Sequence, residues 1–422
     1  MSSSDLLPRQ DHATTNSDDL AVGGTPVAGL RAPLLSFVVV NWNYGRFVGQ
    51  MLESIQEQDY PHFECVVVDN GSSDNSLEVI ERYVGSDSRF RLIRLAQNIG
   101  QLGGAFTGLR AVSGEFVALI DADDVLFPNF ASTHIQVHLS LVDTAALTSS
   151  NVIEVNAENR VLSSTCWRQI KRARDAENAM REDGLVARLP QISAAFYRSA
   201  LAPRVSRAPR EATGWLWSPG TSNVMRRSIA ELFVNDETQP PMIPSDSYFL
   251  KLCHAFGGTA FIDMPLSSRR VHGANYFASR EEISGVRTTS QAFADGIRGI
   301  DVDLENMRSV VTNAVKNYWV LGSYFWTLLD NLTSRESYAR SRYYNAPSVV
   351  TLFRDYSKTL LRASGKNAFL WAVTSRFNVM NSRKIVRAAF DGHLPVAYYV
   401  WMAMPIGFPP QGWWRKIADS LR

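Results

Sequence analysis

Phe116-Val117-Ala118-Leu119-Ile120 runs directly into Asp121-Ala122-Asp123-Asp124. A short unbroken apolar run of this kind reads as a fully buried strand. It ends in three carboxylates within four residues. In open α/β sheets, ligands bind in the crevice outside the carboxyl ends of the strands, and carboxylates crowded there repel one another unless a cation sits between them. Such oxygen donors suit Mg2+ or Mn2+, ions that also bind substrate phosphates. The plainer reading is an acidic turn capping the helix that starts near Pro128, since Asp is a good cap. Taken alone, D-x-D leaves both readings open.

Upstream, strands alternate with helices. Leu35 to Val40 is an apolar, β-branched run that ends at Asn41-Trp42-Asn43-Tyr44-Gly45, and Phe47, Val48, Met51, Leu52 and Ile55 then share one helical face. Phe63 to Val68 is a second strand, ending in Asp69-Asn70-Gly71-Ser72-Ser73. Leu77, Ile80 and Tyr83 mark a second helix, and Phe90 to Leu95 a third strand. The glycine-rich helix Gly103 to Val112 then leads into the strand that ends at Asp121. This rhythm predicts an α/β fold with a mostly parallel sheet. A dinucleotide fingerprint would follow the first strand, where Asn41 and Trp42 stand, and no G-x-x-x-x-G-K-[ST] occurs. A nicotinamide-dependent oxidoreductase and a P-loop enzyme are both disfavoured, and Gly104 and Gly108 read as close helix–sheet packing.

Downstream, Pro128 to Leu141 reads as a helix and Ala145 to Val155 as a strand. Arg160 to Arg210 is basic and irregular, with Arg168, Lys171, Arg172, Arg174, Arg204, Arg207 and Arg210; it is either a solvated surface or an attractor for an anionic acceptor. Trp215-Leu216-Trp217 is either core or an apolar platform for a sugar. Ser245-Asp246 precedes the helical pattern Tyr248, Phe249, Leu252, Phe256, so either residue can serve as its N-cap. Leu266 to Val271 leads to His272. From about residue 285 the segments look helical and basic residues prevail. Trp401, Trp413, Trp414, Arg415 and Lys416 fit either an interfacial segment or a helix packed on the main domain.

The chain has 422 residues, 45% hydrophobic and 20% charged, room for two domains with a core. A net charge of +2 argues against a nucleic-acid partner. Cys65, Cys166 and Cys253 are far apart and form no C-x-x-C, so a reducing cytoplasm fits better than a disulfide framework or a zinc site. Residues 1–33 read as a disordered tail without a targeting signal. No stretch supplies a spanning helix; Leu394 to Phe408 is too short and is interrupted by Pro395, Pro405 and Gly407. The expected organisation is a tail over 1–33, an α/β domain over 34–284 and a mainly helical region over 285–422.

Laid in order, these pieces resemble a family 2 glycosyltransferase over roughly residues 34 to 275. The motifs that carry the resemblance are Ser36 to Asn43, Val67 to Asp74, Asn98-Ile99-Gly100-Gln101 through Gly114-Glu115-Phe116, Asp121 to Asp124, Ser245-Asp246, and Arg270-Val271-His272. The resemblance implies a GT-A, Rossmann-like sheet with a helical C-terminal extension. It implies that Asn41, Trp42, Asn43 and Asn98 line the nucleotide, that Asp69 accepts a hydrogen bond from the base, and that Asp121 and Ala122 meet the donor ribose or sugar. It makes Asp123 the main ligand of a Mn2+ or Mg2+ ion that His272 approaches, and Asp246 the general base. Asp124, Arg270 and Trp217 would support the site. The sequence departs from the family at Trp42, where Tyr is commoner, at Ala105 and Phe106, where Arg or Asn is frequent, and at Ser245, where Glu is usual. The implied reaction is an inverting transfer from a nucleotide-diphosphate sugar, UDP before dTDP, to a saccharide or lipid-linked saccharide. The implied location is the cytoplasm, with peripheral membrane contact through the C-terminal region as an open alternative. A sugar nucleotidyltransferase would need a glycine- and lysine-rich loop after the first strand, which is missing. Against an inactive sugar-nucleotide-binding module stands the joint presence of Asp69, Asp123 and Asp246.

Overall fold

Phe116–Asp121 forms a strand in the interior of a ten-stranded sheet in the computed structural model, which describes residues 20–22, 25–27, 29–163, 179–182, 185–212, 215–218, 220–234, 243–272, 302–332 and 342–403. The elements that position the site are β1 (Leu35–Asn41), α1 (Val48–Gln56), β2 (Phe63–Asp69), α2 (Ser76–Ser86), β3 (Phe90–Arg94), α3 (Gly100–Ala111), β4 (Phe116–Asp121), α4 (Phe130–Ser140), β5 (Leu147–Asn156), β6 (Val205–Ala208), β7 (Asn223–Arg226), α5 (Ser245–Gly257) and β8 (Thr259–Val271). The main path through the sheet is β6-β8-β5-β7-β4-β1-β2-β3. β4, β1, β2 and β3 are mutually parallel, as are β5 and β8; β7 joins the two groups by running antiparallel to both β4 and β5. The chain therefore moves outward from β1 to β3 and returns to β4 on the other side of β1. At such a reversal the loops leaving β1 and β4 diverge and leave a crevice.

Burial on both faces explains the unbroken apolar runs. Phe37 and Val39 of β1 join Cys65, Val67, Ala118 and Ile120 in a core closed by Val48, Met51, Leu52 and Ile55 of α1 and by Phe130 and Ile135 of α4. The alternate residues Val38 and Val40 meet α3. A Cβ on Gly104 would fall 2.5 Å from Val40 Cγ1, and one on Gly108 2.2 Å from Val38 Cγ1. Both glycines are there because the helix lies against the sheet.

Two expectations change. The tail expected over residues 1–33 does not extend through that whole range. Ala21–Val22 pairs antiparallel with Thr25–Pro26 and with Ala187–Arg188, and Leu20 is buried in the main core; residues 1–19 lie outside the described residues. Local composition misses this because the partner strand lies far along the chain. The stretch from Arg160 to Arg210 is also more regular than its charge implies. It holds Val161–Ser163, Ala187–Arg188, the helical turns Ala194–Phe196 and Tyr197–Leu201, and β6. Arg207 there reaches Asp143 at 3.3 Å and the Thr144 carbonyl at 3.0 Å, a structural use of the cation. Arg168, Lys171, Arg172 and Arg174 lie outside the described residues.

The chain divides into two compact units after Ile300; the boundary expected at 284/285 lies outside the described residues. In the second unit the described helices are Val302–Thr312, Ala314–Leu321, Tyr324–Leu332, Pro347–Asp355, Ser357–Ser364, Lys366–Arg376, Val379–Ala389 and Val396–Ala403. A buried polar pin ties three segments of this unit. Arg376 donates to both oxygens of Asp330 at 2.9 and 2.6 Å, and Tyr344 donates to Asp330 Oδ1 at 2.9 Å. Among the described residues no helix is long and apolar enough to cross a membrane. Trp413, Trp414, Arg415 and Lys416 are outside them.

Candidate active site

The loops after β1, β2 and β3 interlock. Asn41 and Asp69 are paired at the ends of adjacent strands. Asn41 is fully buried, and its Nδ2 donates to Asp69 Oδ1 at 3.0 Å and to Ser72 Oγ at 3.1 Å. The Ser72 N–H donates to Asp69 Oδ2 at 3.1 Å. Asn43 stands in the left-handed region, φ 59°, a conformation Asn tolerates better than most residues. This lets its N–H reach Ser72 Oγ at 3.0 Å while its Oδ1 accepts from the Ser73 N–H at 2.8 Å. The third loop is joined by Asn70, whose Nδ2 donates to Asn98 Oδ1 at 3.0 Å; the Gly100 N–H donates to the same oxygen at 2.8 Å. Gly71, at φ 74°, packs so closely on this loop that a Cβ would lie 2.7 Å from the Gln97 backbone. Trp42, 49% exposed, keeps an open ring. Asn41 and Asn98 thus serve to hold the loops, and Asp69 sits at their junction.

The second group surrounds Asp121. Gln101 Nε2 donates to its Oδ1 at 2.6 Å, and the Asp121 N–H donates to Thr221 Oγ1 at 3.1 Å. Thr221 in turn donates to Asp124 Oδ2 at 2.6 Å, while the Arg270 N–H reaches Asp124 Oδ1 at 3.0 Å. A Cβ on Gly220 would lie 2.5 Å from Asp121 Oδ2, so any other residue here would displace that carboxylate. Asp246 lies in the first turn of α5. Neither it nor Ser245 is the N-cap, a position held by Pro244. The Asp246 carboxylate accepts from the N–H groups of Ser247 and Gly220. Burial raises the Asp246 pKa above the ordinary carboxylate value, against the opposing pull of those N–H groups and Arg269. Asp121 is pushed well above that value by burial and by the charges of Asp124, Asp123 and Asp246; Asp124 moves the same way, through burial and Asp123. Ala122 between them is buried.

Asp123 faces His272, with Oδ2 and Nε2 2.9 Å apart. The imidazole stacks on Phe47, centroids 5.0 Å apart, and meets the Tyr44 ring edge-on at 5.6 Å. Burial and then Asp123, Asp121 and Asp124 raise the Tyr44 pKa, so the phenol stays neutral beside the carboxylates. Among the described residues no group of three His, Cys, Asp or Glu side chains forms a cage for an ion. Two donors are still what a hard divalent ion needs when phosphate oxygens and water complete its shell, so Asp123 and His272 fit such an ion bound together with a nucleotide.

Two residues expected near ligand turn out to be structural. Arg270 is buried; its Nε donates to the Asp123 carbonyl at 2.7 Å, and its Nη atoms to Asn159 Oδ1 at 2.6 Å and Gln50 Oε1 at 2.7 Å. It fixes the acidic loop from behind. Trp217 is core, 2% exposed, with Nε1 donating to Thr259 Oγ1 at 2.8 Å, so the platform reading is replaced by the core one. Gln101, Thr221, Tyr44 and Arg269 emerge only in three dimensions. The cation acting on Asp121 and Asp246 is Arg269, held by Glu154 at 3.1 Å.

Residues 36–201 match the family model described as glycosyl transferase family 2. An uncharacterized glycosyltransferase of Nostoc sp. is 25% identical over 314 residues, 74% of this chain and 82% of that protein. A GalNAc(5)-diNAcBac-PP-undecaprenol beta-1,3-glucosyltransferase of Campylobacter jejuni is 36% identical over 106 residues, 25% of this chain and 34% of that one, so the match spans about a third of its length. Among solved structures, S. aureus TarS 1-349 in complex with UDP-GlcNAc aligns over 85% of this chain and 90% of its own, with a TM-score of 0.41 and 14% identity.

Proposed function

We propose, from the match of residues 36–201 to the glycosyl transferase family 2 model, that the protein moves a sugar from a nucleotide-diphosphate donor to an acceptor hydroxyl with inversion at the anomeric carbon. The observation that supports this reading is the carboxylate cluster Asp121–Asp124 at the carboxyl end of β4 with Asp246 beside it, while Asp69 stands at the carboxyl end of β2, bonded to Asn41 at the end of β1. Asp69 is an acceptor-only group with about four lone-pair sites, two of them used by Asn41 and Ser72. It can therefore take the N3–H of uracil or thymine, which favours a UDP-sugar and next a dTDP-sugar. Asp121 and Ala122 border the donor sugar. Asp123 and His272 would hold Mn2+ or Mg2+, which when bound supplies positive charge to the departing diphosphate.

Asp246 removes the acceptor proton. Its raised pKa makes it a better base than a solvated carboxylate. As the acceptor oxygen attacks one face of the anomeric carbon, the bond to the nucleotide breaks on the other, and the proton passes to Asp246. No covalent sugar–enzyme adduct is required. The acceptor is a saccharide or a lipid-linked saccharide, a reading supported by the undecaprenol named for the Campylobacter relative. Work on such an acceptor would bring the chain to the cytoplasmic face of a membrane. The test is acceptor-dependent nucleotide release from a panel of UDP- and dTDP-sugars with Mn2+, with product configuration read by NMR. Release with an inverted product is expected; nucleotide binding without release from any donor and acceptor pair would leave only the module.

A further inference from the structure

We propose that Gln101 is a positioning residue that sets the distance between the donor-side carboxylate Asp121 and the turn carrying the base Asp246. Gln101 is the second residue of α3, and its amide uses both ends. Nε2 donates to Asp121 Oδ1 at 2.6 Å, and Oε1 accepts from the Ser245 N–H at 3.0 Å. That N–H opens α5, whose N-cap position is filled by Pro244, a residue with no side-chain acceptor. First-turn N–H groups have no partner within their own helix, so a residue 144 positions earlier supplies one.

Chemistry restricts what can stand at this position. The bridge must donate at one end, accept at the other and carry no charge. A cation would draw down the proton affinity of Asp246, and an anion would add to the repulsion among Asp121, Asp123, Asp124 and Asp246. Asn has the right groups but is one methylene shorter. Gly220 completes the arrangement: a Cβ there would fall 2.5 Å from Asp121 Oδ2, and its N–H is given to Asp246. The start of α3 thus holds the carboxylate that borders the donor and the turn that activates the acceptor at one spacing.

The proposal rests on the roles given to Asp121 and Asp246 above, and its test separates the two ends of the amide. Gln101→Glu keeps the acceptor for Ser245, loses the donor to Asp121 and sets a charge against it; it should raise the donor KM by at least roughly 10-fold, the size expected for a lost hydrogen bond to a charged group, with kcat changing less than KM. Gln101→Lys keeps the donor and loses the acceptor; it should lower kcat by a similar factor and leave the donor KM near its original value. Equal changes in both constants for both variants, with melting temperature falling in step, would make Gln101 a merely structural residue. A second readout needs no turnover. Gln101→Leu should lower the melting temperature of the natural protein clearly more than that of an Asp121→Ala protein, where only the bond to Ser245 is left to lose, because residues acting through one another are not additive. Equal lowering in the two backgrounds overturns the proposal even if the transferase reading itself has failed through absence of nucleotide release.

Discussion

At the scale of single residues, Asp246 and Asp123 divide the work expected of the site. Asn keeps the size and hydrogen-bonding oxygen of Asp but cannot take a proton. Asp246→Asn should therefore retain nucleotide affinity and lose turnover by roughly the 10²–10⁴-fold typical of a missing general base. Product formation at saturating donor and acceptor, alongside calorimetry, measures both; near-normal turnover would return Asp246 to a helix-start role. Asp123→Ala should abolish the Mn2+-dependent part of UDP binding in calorimetry, and an unchanged affinity would remove Asp123 from the site. Asp123 stood out in the sequence because it follows a strand end, whereas Asp246, in the first turn of a helix, was singled out by the resemblance alone. Arg269 was marked by neither. Successive strand residues point to opposite faces, so whether Arg269 or Arg270 meets the carboxylates depends on a register that sequence leaves free. Gln101 was hidden for another reason, since its partner Ser245 is fixed only by tertiary packing.

At the scale of elements, the strands β1 to β5 and the helices between them were legible because each is buried on a predictable face. The clearest case is α3, where glycines mark contact with Val38 and Val40. Gly108→Ala should cost about 1–3 kcal/mol through overpacking, seen as a lower denaturation midpoint with unchanged slope; a neutral result would mean the helix can lift off the sheet. The helix α4 carries a less visible property. His134 and His138 are both buried, His134 against Thr148 Oγ1 at 2.7 Å and His138 against the Val224 carbonyl at 3.2 Å. Burial holds His138 down to about 3, with Arg226 acting the same way. An unfolded histidine takes its proton near pH 6.5. Between these values the unfolded chain binds more protons, so this residue's contribution is present above pH 6.5 and is lost as pH falls. Lowering pH from 7 to 5 should remove about 2 kcal/mol through His138 alone. His138→Gln should show a correspondingly flatter pH dependence of unfolding free energy, and parallel curves for the two proteins would contradict the assignment.

At the scale of the whole molecule, composition misjudged the N-terminal stretch because its order comes from a distant partner. Removing residues 1–19 should leave stability unchanged. Removal through Leu30 also deletes Leu20 and the Ala21–Val22 ladder and should cost about 2 kcal/mol, the worth of one buried leucine. Equal melting of both truncations would mean this strand contributes nothing. In the second unit, Trp319 is 90% and Val396 81% exposed, and Arg383, Lys384 and Arg387 are exposed on one helix. Flotation with anionic vesicles at low salt, reversed by high salt, is the result expected of membrane contact; a chain that stays in the soluble fraction has none.

The antiparallel strand β7 bears on how the protein is made. It pairs Met225 with Val117 and Arg226 with Phe116, covering the edge of β4 that β1 leaves open. During synthesis β4 leaves the ribosome roughly a hundred residues before its neighbour, a delay of about 5–20 s at ordinary translation rates. For that interval a two-faced apolar strand has a bare edge, the kind of edge that recruits other chains. A nascent chain halted near residue 201 would present that edge permanently. Chaperone engagement should therefore be heaviest in the window before Arg226 emerges.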